Sequence, residues 1–382
     1  LTPPPPVAVY VHWPYCRRIC PYCDFVVVRD RGREDEQAGL AEAIAADLAE
    51  QARRIGPRRL VSVFFGGGTP SLMAPAHVER IVRTAADAFA PEADLEISLE
   101  ANPTDAEVAR YAGFAAAGVN RLSLGLQALD DASLRFLGRD HSAAEGVRAA
   151  ETARRTFSRL SLDLIYARPG QAPDAWAAEL EAAVALGPEH LSPYQLTVEP
   201  GTAFDRAVRR GRFAPAGPDL GADLYETTRA VLAAGGFDAY EVSNHARGEA
   251  ARARHNLAIW RGAEYLGVGP GAHGRAALDG ARTATRAAVR IADYRERVAA
   301  TGVGWASNDP LASEEAAEER LMLGLRIVEG VPWRELGPLA SAVRDRAGPL
   351  AEAGLLDVGP DRLGATAAGR PVLDALLRAL LA

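Results

Sequence analysis

Six short runs of strand-forming residues recur along the first half of the chain, at 7–11, 60–65, 95–99, 121–124, 160–165 and 190–196. Alanine-rich segments of helical period lie between them, at 34–54, 76–89, 105–117, 143–157 and 174–186. A strand returning about every thirty residues with a helix between is the rhythm of βα units, and six of them predict an incomplete α/β barrel of (β/α)6, TIM-like type. The helix starts are marked: Pro75 and Pro173 precede two of them, Asn102-Pro103-Thr104-Asp105 offers caps to a third and Ser142 caps a fourth.

At 382 residues and 48% hydrophobic side chains the chain is globular and too long for one ordinary domain. The barrel is expected over 1–305. From about 205 the rhythm breaks into an extension predicted to cover the barrel mouth, with long loops around 244–254 and 267–274. A small helical, winged-helix-like domain is expected over 306–382, with helices at 313–327, 341–353 and 367–381 and a β pair through 355–363. All 43 cationic side chains are arginines, and 50 acidic ones leave a net charge of −7. That balance disfavours nucleic acid and anionic membrane as partners. No apolar run approaches the ~18 residues of a spanning helix, and Leu1 to Pro6 lack the basic and apolar parts of a signal peptide. A cytoplasmic protein is expected.

The only three cysteines are Cys16, Cys20 and Cys23. An odd cluster at this spacing is no disulfide framework, and it lacks the fourth N or S ligand of a closed zinc site. Thiolates are preferred ligands of iron–sulfur clusters, so a tight loop bearing three can hold three irons of a [4Fe–4S] cube and leave the fourth open to a small molecule.

Cys16-Arg17-Arg18-Ile19-Cys20-Pro21-Tyr22-Cys23 resembles the C-x3-C-x2-C signature of the radical S-adenosylmethionine (SAM) superfamily, in which SAM chelates the open iron. Tyr10-Val11-His12-Trp13-Pro14-Tyr15-Cys16 is similar to the start of the family of oxygen-independent coproporphyrinogen III oxidase (HemN), which includes the heme-chaperone branch HemW. Gly66-Gly67-Gly68-Thr69-Pro70 follows the second strand, where glycines let backbone approach a ligand closely. Barrels of this kind gather ligand contacts at the C-terminal ends of strands, where Glu100, Gln127 and Asp163 are predicted to fall. The resemblance implies SAM contacts from these three, from Arg139, and from Tyr10, Tyr22, Gly67, Gly68 and Thr69. A carboxylate suits the ribose hydroxyls and an arginine suits the SAM carboxylate.

The dehydrogenase continues as C-G-C after the third ligand, whereas this chain reads Cys23-Asp24-Phe25, as the chaperone branch does. His255-Asn256-Leu257-Ala258-Ile259-Trp260 resembles the H-N-x-x-Y-W heme motif of that branch, with Ile259 in place of its tyrosine. The resemblance therefore implies a heme chaperone carrying a [4Fe–4S] cluster and SAM, with His255 as an iron ligand and a recipient hemoprotein, such as a membrane respiratory enzyme, as partner. Whether the chain is also an enzyme stays open. The alternatives are a radical-SAM methyltransferase or oxidoreductase that cleaves SAM to a 5′-deoxyadenosyl radical, and coproporphyrinogen III dehydrogenase itself.

Overall fold

The computed structural model describes residues 3–382, so Leu1 and Thr2 lie outside the described residues. Six parallel strands stand side by side in chain order: β1 (Pro6–Trp13), β2 (Arg59–Gly67), β3 (Ala90–Ala101), β4 (Arg121–Gln127), β5 (Arg159–Tyr166) and β6 (His190–Gln195). Helices α1 (Glu34–Ile55), α2 (Pro75–Ala88), α3 (Ala143–Thr156) and α4 (Pro173–Ala185) return the chain between strands. Ser142 caps α3 as expected, in a capping box with Glu145. The helix expected over 105–117 is divided into Asp105–Val108 and Tyr111–Ala116. A turn closed by Arg110 N–H on Glu107 O separates the two pieces, and the Arg110 guanidinium is drawn off to the carbonyls of Ser71 and Leu72.

Alternation along the strands sorts the side chains. Val9, Val11, Val63, Phe65, Leu99, Leu122, Leu124, Leu160 and Leu162 face outward and bury against helix residues such as Leu40, Ile44, Leu48 and Ile81. The inner face is polar. Ser62, Ser98, Ser123, Ser161 and Ser192 supply one buried or half-buried serine from each strand after β1, and Glu100 and Asp163 stand in register with Ser123 and Ser192.

The extension differs from the expected loops. Residues 267–274 are parts of two strands, β7 (Glu264–Val268) and β8 (His273–Leu278), joined by a tight turn with Ala272 N–H on Gly269 O. A Cβ at Gly267 would lie 2.0 Å from the His273 carbonyl oxygen, so glycine there serves close strand contact and not loop freedom. β7 pairs with β1 in parallel, and β8, β9 (Ala281–Ala287) and β10 (Trp305–Pro310) continue as an antiparallel meander in one 12-stranded sheet.

Residues 244–254 do not reach the mouth; they help close the opposite end of the barrel. The Glu96 carboxylate accepts from the backbone N–H groups of Arg254 and His255, at the start of α5 (Arg254–Trp260). Arg121, the first residue of β4, pairs with Glu96 at 2.9 Å and donates to the carbonyls of Ala251 and Arg252. The mouth is instead flanked by the segment after β6, where Phe204 and Phe213 pack with Phe136, and Phe204 N–H binds Pro21 O.

A second core, including Leu321, Val331, Trp333, Val343, Leu363, Leu376 and Leu380, belongs to the C-terminal unit. Helices Ser313–Gly324, Ala340–Glu352 and Leu373–Leu381 surround a three-stranded sheet there, in a winged-helix-like arrangement. Glu319 ties this unit to the meander through Arg275 and Arg282. Among the described residues no helix is long and apolar enough to cross a membrane.

Arg121→Met would leave the buried Glu96 carboxylate only the more distant Arg159, at 3.5 Å and partly exposed. We expect a loss of about 3–5 kcal/mol in urea unfolding, whereas an unchanged midpoint would show that this ion pair does not hold the barrel floor.

Candidate functional site

The cysteine loop leaves β1 and is closed at its base by a short parallel pairing of Tyr15–Cys16 with Val28–Arg29. Asp30 N–H donates to Cys16 O and Val28 N–H to Pro14 O, both at 2.8 Å. His12 fastens the loop's far side. Its Nε2 lies 2.8 Å from Val26 O, which can only accept, so Nε2 carries the proton and Nδ1 accepts from the Tyr10 hydroxyl at 3.0 Å. Burial lowers the His12 pKa and favours this neutral form.

The glycine run lies against the same loop. Gly68 N–H donates to Trp13 O at 2.7 Å and Thr69 N–H to Tyr15 O at 2.8 Å. A Cβ at Gly68 would come within 2.8 Å of both Tyr15 O and Trp13 O, and Gly67 sits at φ +106° with the His12 ring against it. The close approach predicted for these glycines is made first to the cysteine loop itself.

These segments frame a cavity of about 510 Å³ at the C-terminal ends of the strands. Of the residues singled out by sequence, Cys16, Cys20, Cys23, Tyr22, Gly67, Gly68, Thr69, Glu100, Gln127, Arg139 and Asp163 all line it. Thr69 donates to Cys16 Sγ at 3.6 Å and Arg139 to Cys20 Sγ at 3.5 Å. Desolvation, followed by the charge of Asp163, pushes Glu100 up to about 8, against an opposing hydrogen bond from Gly67 N–H. Asp163 is raised to about 6 by burial, against hydrogen bonds from serines 123, 192 and 161. Near neutrality the two carboxyls cannot both ionise cheaply, so the site holds a proton.

Gln127 has a positive φ of 65°, uncommon for a non-glycine residue, and its buried Oε1 has no partner. Strain and an unpaired acceptor together mark a position built for a ligand.

Tyr10 and His255 do not line the cavity. Tyr10 acts on His12, as above, and its ring stacks on Phe64. His255 is buried on α5, its Nδ1 3.0 Å from Ser62 Oγ and its ring stacked on Phe64 at 4.8 Å. Burial lowers its pKa to about 3. The neighbouring Asn256 reaches the cavity floor instead. Sequence reasoning also missed the lumen serines and Asn102. The serines had a signal in the alternating Arg-Leu-Ser-Leu of β4 and β5, which places a polar side chain on the face opposite the leucines.

Comparison with known proteins fits this geometry. The radical SAM superfamily model matches residues 10–183 and the HemN C-terminal domain model matches 311–372. The heme chaperone HemW of Mycobacterium tuberculosis (strain ATCC 25618 / H37Rv) is 37% identical over 99% of this chain and 96% of its own. The chain belongs to the HemN-like family of the radical SAM superfamily. Another relative, mitochondrial radical S-adenosyl methionine domain-containing protein 1 of Bos taurus, is 40% identical over 98% of this chain and 87% of its own. Coproporphyrinogen III oxidase (HemN) from Escherichia coli shares the fold, with a TM-score of 0.81 at 22% identity over 99% of this chain and 90% of that one.

The donor set suits the cofactors of a radical SAM protein. Cys16, Cys20 and Cys23 share one cavity wall, while among the described residues no group of three or more His, Cys, Asp or Glu converges as on a single metal ion. Thiolates that each take a different iron of a cube need not meet at a point.

A raised carboxyl pKa means that the folded chain binds more protons than the unfolded chain, so stability falls as pH rises through that window. For Glu100 the window runs from its ordinary value to about 8. Thermal melts of the ligand-free protein are expected to drop between about pH 6 and 8 (the upper half of that window), and Glu100→Gln should flatten the drop; an equal slope in the variant would refute the assignment.

Proposed function

We propose that this chain is a heme chaperone on a radical-SAM scaffold, which binds heme and delivers it to an apoprotein. One observation carries the reading: the third cysteine is followed by Asp24-Phe25, with no fourth cysteine in the chain, inside a similarity that spans 99% of this chain to a protein named heme chaperone HemW.

In this reading Cys16, Cys20 and Cys23 hold a [4Fe–4S] cluster, which when bound supplies one-electron chemistry and an iron open to SAM. Arg139 takes the SAM carboxylate, Glu100 and Asp163 take ribose hydroxyls, and the unpaired Gln127 Oε1 takes a donor. Tyr22, Gly67, Gly68 and Thr69 form the walls, and Tyr10 positions His12. Around the mouth Ile19 is 49% and Phe25 61% exposed, with Arg18 beside them. An apolar rim with a cation fits a flat apolar ring bearing carboxylates.

His255 is kept as the proposed iron ligand. Burial keeps the imidazole neutral where it stands, and ligation requires α5 to leave the contacts of His255 with Ser62 and Phe64, after which the imidazole binds iron in its neutral form. The recipient is a hemoprotein, such as a membrane respiratory enzyme, and the setting is the cytoplasm, whose reducing poise suits three free cysteines.

A second reading, a radical-SAM methyltransferase or oxidoreductase, draws on the same cavity, since every residue proposed for SAM would serve its cleavage as well. Substrate-dependent release of 5′-deoxyadenosine would favour it. Formation of protoporphyrinogen would favour the dehydrogenase.

The test is an anaerobic heme titration of cluster-reconstituted protein, followed in the Soret band beside His255→Ala. Saturation near one heme per chain, weakened in the variant, is expected. Absence of saturable binding would overturn the chaperone reading, and wild-type binding by the variant would remove His255 as ligand.

A further inference from the structure

Asn102 follows the last residue of β3, and its backbone N–H is anchored by the buried Glu107 carboxylate at 2.8 Å. Its side chain joins two residues that each touch a different cysteine. On one side Oδ1 accepts from Arg139 Nη2, while Arg139 Nη1 donates to Cys20 Sγ at 3.5 Å. On the other side Nδ2 donates to Thr69 Oγ1 at 3.2 Å, and Thr69 donates to Cys16 Sγ at 3.6 Å.

The direction of every bond in this chain is dictated. A guanidinium only donates, so the amide oxygen must face Arg139 and the amide nitrogen must face Thr69. Thr69 Oγ1 then accepts from the amide and has its single hydrogen left for the Cys16 sulfur. Without Asn102 the hydroxyl is free to rotate away from the sulfur. The guanidinium keeps a second anchor, Gly125 O at 3.1 Å, and loses the one that faces the loop.

We propose that Asn102 is a positioning residue that sets the hydrogen bonds to two of the three cysteine sulfurs and thereby the reduction potential of the cluster they hold. The inference rests on the cluster reading above. Hydrogen bonds to cluster sulfurs stabilise the more negative, reduced state, so losing them lowers the potential. Thr69 and Asn102 act in series on Cys16, so their removal should not add.

The experiment is a redox titration, with dithionite as reductant, of the cluster-reconstituted full chain as wild type, Asn102→Leu, Thr69→Val and the double variant. Asn102→Leu should make reduction about tenfold less favourable, about 59 mV for one electron. Thr69→Val should shift the potential the same way by less, and the double variant should match Asn102→Leu. Variants with full iron content and wild-type potentials, or with additive shifts, would overturn the inference. Should Asn102→Leu fail to take up the cluster, an unshifted Thr69→Val overturns it alone. A wild type that takes up no cluster would instead remove the cluster reading, and this inference with it.

Discussion

The contact of Gly68 with the backbone of residues 13–15 is the constraint on which the site depends. A loop that must present three thiols cannot have a hydrophobic core of its own, so its geometry is borrowed from the sheet. Strand β1 launches it, the pairing of Tyr15–Cys16 with Val28–Arg29 closes it, and the turn after β2 lies against it with no room for a side chain. The tip of β2 thus belongs to two sites at once. It braces the cysteine loop, and through Gly67 N–H it reaches the Glu100 carboxyl on the next strand.

Below that rim the barrel is lined with serines and acids, which is costly unless each group finds a partner. The structure meets the cost in layers. At the floor Glu96 and Arg121 neutralise each other and hold the chain entering α5. Above them Ser123 and Ser161 donate to Asp163, while His190 lies between Ser161 and the Tyr240 hydroxyl. At the top Gln127 Oε1 and Arg139 Nε are left unpaired. Ser98 Oγ and Arg121 Nη1, lower in the lumen, also lack partners, and the two at the level of the cysteines and carboxyls belong to residues that line the cavity, as a binding site requires.

Much of this was legible in the sequence for identifiable reasons. The six strands and their helices declared themselves by alternation and by caps such as Ser142, which are local signals. The cysteine spacing and the residues at strand ends were readable because the βα rhythm places strand ends in one ring. What failed was non-local. Glycines at 267 and 274 read as loop because their real cause, a neighbouring strand against the missing side chain, is invisible in one dimension. The surroundings of His255 were equally invisible: its helix turns it into the barrel wall against Ser62, a partner 193 residues away, and its proposed role toward heme rests on the motif. Asn102 looked like a helix cap, because its two side-chain partners come from other turns of the barrel.

Three thiols in this frame are proposed to hold a cubane cluster with one iron left for SAM. Anaerobic reconstitution followed by iron and sulfide analysis, with electron paramagnetic resonance of the reduced protein before and after SAM, tests it most directly. About four irons and four sulfides per chain are expected, as three thiolates on an open cube require, with a spectrum that changes when SAM is added. A lower iron content that no added iron raises, or a cluster spectrum indifferent to SAM, would contradict it.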